Sequence, residues 1–292
     1  MLLPLQFVRA SPHLIFEVLA YIAGFALYLI LRRRFGDSVP IHLRWAVLAA
    51  AVAGAALGAK VLFLLEDPQL TLHNLQNSAY LLGGKTIVGA LAGGLVAVEL
   101  MKHSIGLRQS TGDLYAIPLA VAIAIGRIGC FLTGLPDNTY GTPTTLPWGV
   151  NFGDGIARHP TQLYELIFLV ALVPFLYRIL NKVAINRLVI PSAESVSRSE
   201  ADSESRDLLS APSVPNSARP SLHTRFIPGD AFKLFLVSYA FFRLLCDFIK
   251  PYPRIFLGLG GIQWACFAIL LYYSRDITRW LRSALSVVMA KI

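Results

Sequence analysis

The chain has 292 residues, of which 55% are hydrophobic and only 15% charged, with a formal net charge of +9. That balance excludes an ordinary soluble domain and points to hydrocarbon as the principal solvent. No nucleic-acid module stands behind the positive charge, which fits membrane orientation and attraction to anionic lipid instead.

Apolar runs long enough to cross about 30 Å of hydrocarbon recur along the chain. They fall at roughly 14–31, 45–65, 81–101, 113–133, 161–180, 229–249 and 256–274. The first reads as an anchor rather than a cleaved signal peptide, because Arg32-Arg33-Arg34 follow it directly. Cations concentrate in alternate links: Arg32, Arg33, Arg34 and Arg44; Lys102 and Arg108; Arg178, Lys182 and Arg187; and Arg275, Arg279, Arg282 and Lys291 in the tail. The opposing links 66–80 and 134–160 are poor in them. The positive-inside rule then places the N-terminus outside and the C-terminus inside. The expected fold is an all-α polytopic membrane protein of seven spans.

Residues 1–187 are expected to hold spans one to five, with an external loop over 134–160, and 227–292 the last two spans. Segment 188–226, rich in Ser, Pro and alternating charge, is expected to be a disordered cytoplasmic linker. In the tail, Ile277, Trp280, Leu281, Leu285 and Val288 recur at helical spacing between arginines, which predicts an amphipathic helix on the inner leaflet.

Cys130, Cys246 and Cys266 are far apart, with no CxxC pair and no His at metal-ligand spacing. They read as small apolar residues, so neither a disulfide framework nor a metal centre is expected. No cofactor is expected either. Gly89, Gly93 and Gly94 suit close helix packing. Gly83-Gly84, beside Lys85, read as a helix break whose exposed N–H groups suit phosphate.

Ionisable residues at membrane depth are expensive and mark function by default. Lys60 can snorkel outward, and Glu17 can be an interfacial charge. Gly126-Arg127-Ile128-Gly129 closes one apolar run, and Arg158-His159-Pro160-Thr161-Gln162-Leu163-Tyr164-Glu165 opens the next. An anionic headgroup or phosphate is the obvious ligand for the arginines; an ion pair with Glu165 is the alternative for Arg127. Arg243 sits mid-span, with Asp247 one turn later on the same face and Lys250 continuing it. His159 serves either as a structural hydrogen-bonder or as a proton carrier.

These motifs resemble the prolipoprotein diacylglyceryl transferase family. The likeness rests on Gly126-Arg127-Ile128-Gly129, Gly134, Tyr140-Gly141, Pro143, Pro147-Trp148, the 158–165 run, Tyr239 with Arg243, and Gly258 and Gln263. It implies a multi-pass bacterial inner-membrane enzyme. Such an enzyme moves a diacylglyceryl unit from phosphatidylglycerol to a lipobox cysteine thiol of a prolipoprotein and releases glycerol phosphate. Arg127, Arg243 and His159 are then the expected catalytic residues. Gly134, Arg158, Tyr140, Gln162, Tyr164, Glu165, Tyr239, Asp247, Lys250 and Lys85 are expected to bind substrate. Negative charge builds on the departing glycerol phosphate, and arginines held in low dielectric would stabilise it. The thiolate is the nucleophile, so a base is also needed.

The chain departs from the family's pattern where protons are handled. The third-span Phe-His-Gly-Gly-Leu is Ile87-Val88-Gly89-Ala90-Leu91, so Val88 replaces the family's histidine. Cys130 stands for an Asn, Thr133-Gly134-Leu135 for Asn-Gly-Glu, and Asp247 and Lys250 for Glu and Arg. Either His159, Asp247 or Lys85 substitutes for the histidine, or the acceptor differs. A related transferase with another acceptor and a non-catalytic phospholipid-binding or transport protein therefore stand as alternatives. The transferase reading needs both guanidiniums to face a hollow open to the bilayer, not merely acidic neighbours.

Overall fold

The computed structural model describes residues 12–37, 39–203 and 226–289, with side chains described except at 186–203, 287 and 288. It is mostly helical. In chain order the helices are α1 (Pro12–Phe35), α2 (Ile41–Glu66), α3 (Pro68–His73), α4 (Ser78–Leu82), α5 (Ile87–Ser104) and α6 (Ala116–Thr133). After a loop carrying the two-residue antiparallel strands β1 (Val150–Asn151) and β2 (Ala157–Arg158) come α7 (Thr161–Ser203), α8 (Asp230–Cys246), α9 (Gly261–Tyr272) and α10 (Ser274–Met289).

Among the described residues, five helical stretches are long and apolar enough to cross a membrane: 12–35, 41–66, 87–104, 113–133 and 161–185. Their outer faces leave Phe25, Leu57, Val96 and Ile167 bare. Contiguous apolar surface of that kind is what lipid covers. The expected sixth and seventh spans are shorter than the sequence pattern predicts. α8 has 17 residues and α9 has 12, or about 26 and 18 Å of rise. Both lose length to the loop 250–260, and the polar stripe of Arg243 and Asp247 ends α8 in a 3₁₀ turn over Asp247–Ile249.

Glycine sets the closest packing. α2 and α5 cross where Gly54 and Gly58 meet Gly89 and Gly93. A Cβ at Gly58 would lie 2.3 Å from the Gly89 carbonyl oxygen, and one at Gly93 2.3 Å from that of Gly54. No side chain fits there, so the small-xxx-small reading of Gly89 and Gly93 is the right one. The helix does break at Gly83-Gly84, and its carbonyls are taken up by a lysine. Lys60 Nζ donates to the carbonyls of Gly83 (2.6 Å) and Gly84 (2.9 Å), and Thr86 Oγ1 caps α5 by accepting from Gly89 N. Lys60 thus reaches the exposed carbonyls at the end of the span.

Three buried acids, none singled out as an anchor by sequence, tie the helices together at their ends. Asp113, just before α6, accepts from the N–H groups of Gly229 (2.7 Å), Ala231 (3.1 Å) and Phe232 (3.3 Å), capping α8 from a distance. Asp230 accepts from Arg279 Nη2 (2.5 Å) and Trp280 Nε1 (3.2 Å), which docks α10. Glu66, ending α2, accepts from Ile262 N (2.8 Å) at the start of α9. Carboxylates at helix N-termini satisfy orphan N–H groups and complement the dipole. The tail is helical as expected, with Trp280 buried against the body and Leu281 and Leu285 left exposed. α7 remains helical through Ser203, into the segment whose composition suggested a linker from 188; residues 204–225 lie outside those described.

Candidate functional site

Six buried polar side chains from three helices meet at one end of the bundle. Arg127 comes from the C-terminal part of α6, Glu165 from the start of α7, and Tyr239 and Arg243 from α8. Asp247 and Lys250 flank the 3₁₀ turn that follows. Glu165 is the hub. Its Oε1 lies 2.9 Å from Arg127 Nε and accepts from Tyr239 Oη at 2.7 Å, while its Oε2 lies 3.4 Å from Arg243 Nη1. Arg243 Nη2 reaches Asp247 Oδ1 at 2.9 Å, completing the i,i+4 pair that its spacing predicts.

Both guanidiniums are therefore held by carboxylates, and not left free for a ligand as the lipid-gripping reading required. The physical reason is cost: a guanidinium buried in a medium of low dielectric without a counter-ion is penalised by several kcal/mol. The apolar groove between α1, α6 and α7, lined by Leu27, Leu31, Ile117, Val173 and Tyr177, does not meet that requirement. It lies ten residues along α6 from Arg127, or about 15 Å.

The cluster nonetheless keeps unspent hydrogen-bonding capacity. Among the described residues Gln162 is buried with neither Oε1 nor Nε2 partnered, and Arg243 Nε and Glu66 Oε1 also lack a hydrogen bond. Lys250 is 3% exposed, and its amine faces the Tyr252 ring at 5.5 Å, with no carboxylate within ion-pair distance among the described residues. In the loop just beyond α8, burial pushes the Lys250 amine down to about 7, and Arg243 and Arg127 add to the effect against Glu165 and Asp247. Buried polar groups without partners are rare, and such a concentration marks a place prepared for something else to bind.

The remaining expected residues lie around this cluster. Gly134 ends α6 at φ +70°, a backbone that only glycine adopts without strain. The loop is stitched to the turn after α8, with Thr142 N donating to Ile249 O (2.7 Å) and Gly141 N to His159 O (2.8 Å). A Cβ at Gly141 would sit 2.8 Å from that same Ile249 oxygen, so glycine is needed for the loop to close over the cluster.

His159 Nδ1 lies 3.2 Å from Tyr164 Oη, which accepts from Trp148 Nε1 at 2.9 Å. Among its described contacts none is to the arginines. Arg158 is also held apart, paired with Asp154 at 2.7 Å and stacked on Tyr140 at 5.1 Å. The Arg158 hydrogen bond keeps the Asp154 carboxyl below its ordinary range. Lys85 pairs with Glu17. Val88, at the position of the family's histidine, is buried among apolar side chains.

Sequence reasoning missed a second polar group beside Arg127. His13 Nδ1 lies 2.9 Å from Asp137 Oδ1 and 3.9 Å from Cys130 Sγ, and Arg127 Nη1 approaches the same sulfur at 3.8 Å. No spacing rule joins residues more than a hundred positions apart. It also missed Arg254, which donates to Gln263 Oε1 at 2.5 Å and to the Asp247 carbonyl at 3.1 Å.

Several curated relatives are named phosphatidylglycerol–prolipoprotein diacylglyceryl transferase. The protein from Bordetella parapertussis is 36% identical over 159 residues, covering 51% of this chain and 60% of the relative. That from Wolbachia pipientis subsp. Culex pipiens is 35% identical over 129 residues (42% and 48%), and that from Clostridium tetani 37% over 125 residues (40% and 49%). The chain thus spans about half to three-fifths of the length of the curated relatives it matches. The family model described as prolipoprotein diacylglyceryl transferase matches residues 12–190, which include Arg127 and Glu165 but stop short of Arg243 and Lys250. With more than half of its residues matched to that model, the chain belongs to the prolipoprotein diacylglyceryl transferase family.

Proposed function

We propose that this chain transfers a diacylglyceryl group from phosphatidylglycerol to the cysteine thiol of a prolipoprotein lipobox, in the bacterial inner membrane. The supporting observation is the buried cluster of Arg127, Arg243 and Lys250 around Glu165, with the Gln162 amide unpartnered beside it. The names borne by its relatives point the same way.

In the reaction, thiolate sulfur attacks the terminal glyceryl carbon. The C–O bond to phosphate breaks, a thioether C–S bond forms, the thiol proton passes to a base, and glycerol phosphate leaves. Charge accumulates on the departing phosphate oxygens. The ion-paired geometry is then the ligand-free state, in which Glu165 occupies guanidinium edges that phosphate competes for. Preorganised cations at the leaving group contribute by electrostatic stabilisation. On this reading His159 steadies Tyr164 at the mouth of the site instead of accepting the proton. The N-terminus faces outward, so loop 134–160 meets substrate on the outer side.

Two observations favour a different reading. Both guanidiniums are already neutralised, and Val88 offers no proton acceptor, which suits a related transferase with another acceptor or a non-catalytic phospholipid binder. Membranes containing the protein, labelled phosphatidylglycerol and a lipobox peptide separate these. Label on the peptide thiol, lost in Arg127→Ala and Arg243→Ala, supports the proposal. Lipid turnover with an unlabelled peptide supports another acceptor, and lipid binding with no turnover supports the binder.

A further inference from the structure

The group formed by His13, Cys130 and Asp137 brings three different metal-ligating atoms together from three separate segments. His13 lies in the first turn of α1, Cys130 in the last turn of α6, and Asp137 in the 3₁₀ turn Leu135–Asp137 after it. Nδ1, Sγ and a carboxylate oxygen all lie within 4.8 Å of one another. We propose that these three side chains bind one divalent metal ion of the borderline, zinc-like class, leaving a fourth coordination position open.

The donor distances suit the ion. Tetrahedral zinc with Zn–N near 2.0 Å and Zn–S near 2.3 Å separates nitrogen from oxygen by about 3.3 Å, and nitrogen from sulfur by about 3.6 Å. The observed separations are 2.9 Å for His13 Nδ1–Asp137 Oδ1 and 3.9 Å for His13 Nδ1–Cys130 Sγ. Small rotations of short side chains reconcile the two sets.

Charge suits it as well. A thiolate, a carboxylate and a neutral imidazole sum to minus two, so a divalent cation gives a neutral centre, the favourable outcome where Cys130 is buried and His13 and Asp137 are half-buried. One thiolate with one imidazole selects zinc or cobalt over magnesium or calcium, which take oxygen ligands. Three protein ligands and one open position are the pattern of reactive zinc sites, not structural ones.

What surrounds the three ligands is the strongest argument. Metal-bound histidine normally gives its other ring N–H to a carboxylate, and bound carboxylates and thiolates are themselves hydrogen-bonded. Here His13 Nε2 lies 3.5 Å from Glu17 Oε2, and Glu17 is in turn held by Lys85. Asp137 Oδ2 accepts from Thr139 Oγ1, and Cys130 Sγ faces Arg127 Nη1. Each proposed ligand thus has an outer partner. The arrangement also gives Glu17 and Lys85 a place in one connected structure that reaches Arg127 through His13 and Cys130.

The test uses the full chain in detergent and cobalt(II) alone, and it needs no turnover, so it stands or falls separately from the transferase reading. Stoichiometric cobalt is expected to give a thiolate-to-cobalt charge-transfer band and intense d–d bands of tetrahedral type. Cys130→Ser abolishes the charge-transfer band. His13→Gln and the isosteric Asp137→Asn each raise the cobalt dissociation constant by about tenfold or more, and Glu17→Gln by about tenfold. Thermal unfolding of each variant without metal shows that it is folded. Absence of the band at stoichiometric cobalt, or a band that survives in Cys130→Ser, would overturn the proposal and leave a plain imidazole–carboxylate pair.

Discussion

Arg127 Nε lies 2.9 Å from Glu165 Oε1, tying the end of α6 to the start of α7 within the region that matches the family model. That single contact joins the two motifs that open and close the 126–165 block. It also makes Glu165 the residue on which the arginine cluster depends.

Glu165→Gln removes the anion between two buried guanidiniums while preserving shape. Breaking a buried pair from one side costs about 3–5 kcal/mol. We expect a large drop in the thermal midpoint in detergent and loss of transfer. An unchanged midpoint would mean that the carboxylate is not the hub.

Arg243→Ala should leave the protein inserted and reduce peptide labelling by about 10²–10³-fold, the usual effect of removing one preorganised donor. Arg243→Lys restores charge without the two-edged geometry that reaches both Glu165 and Asp247, so it should recover only a fraction. Activity in Arg243→Ala equal to wild type would take this residue out of the site.

Lys250 supplies the pH dependence. Its amine is depressed to about 7, well below the ordinary value of about 10.4. The neutral form is therefore favoured by the fold, and an anionic headgroup favours the charged form. Affinity for phosphatidylglycerol should rise as pH falls through 7 and weaken above it, by up to about tenfold per pH unit. Lys250→Met should abolish this dependence, and it should raise the thermal midpoint at neutral pH by removing a buried amine. Lipid binding measured from pH 5.5 to 8.5 checks both signs.

Gly58→Leu tests the crossing of α2 and α5. Its side chain would begin 2.3 Å from the Gly89 carbonyl oxygen, so the helices must part. Overpacking of this kind costs about 1–3 kcal/mol or more. We expect a lower thermal midpoint, whereas Gly126→Ala, with nothing within 4 Å of its Cβ, should be neutral for stability.

The sequence made legible what depends on local spacing and composition. The apolar runs, the Gly83-Gly84 break, the Gly89/Gly93 packing face and the Arg243–Asp247 pair all follow from periodicity and hydropathy. The convergence of Arg127, Glu165 and Tyr239 was accessible through the family resemblance. Hidden were the long-range partners: Asp113 beneath α8, Glu66 beneath α9, and His13 beside Cys130. No local rule foretells which buried acid meets which helix end. Of the two partners the sequence offered Arg127, a phosphate or Glu165, the structure holds the carboxylate, since burial in hydrocarbon demands a counter-ion before any substrate arrives.

Asp113 has one more consequence. It grips the N-terminus of α8 through three backbone amides, while Asp230 fastens α10 to the same helix. The C-terminal bundle is thus held by non-covalent clasps as well as by the peptide that leads into it. Two separately expressed pieces, divided between 204 and 225, should reassemble into a working whole, and Asp113→Asn should prevent that complementation.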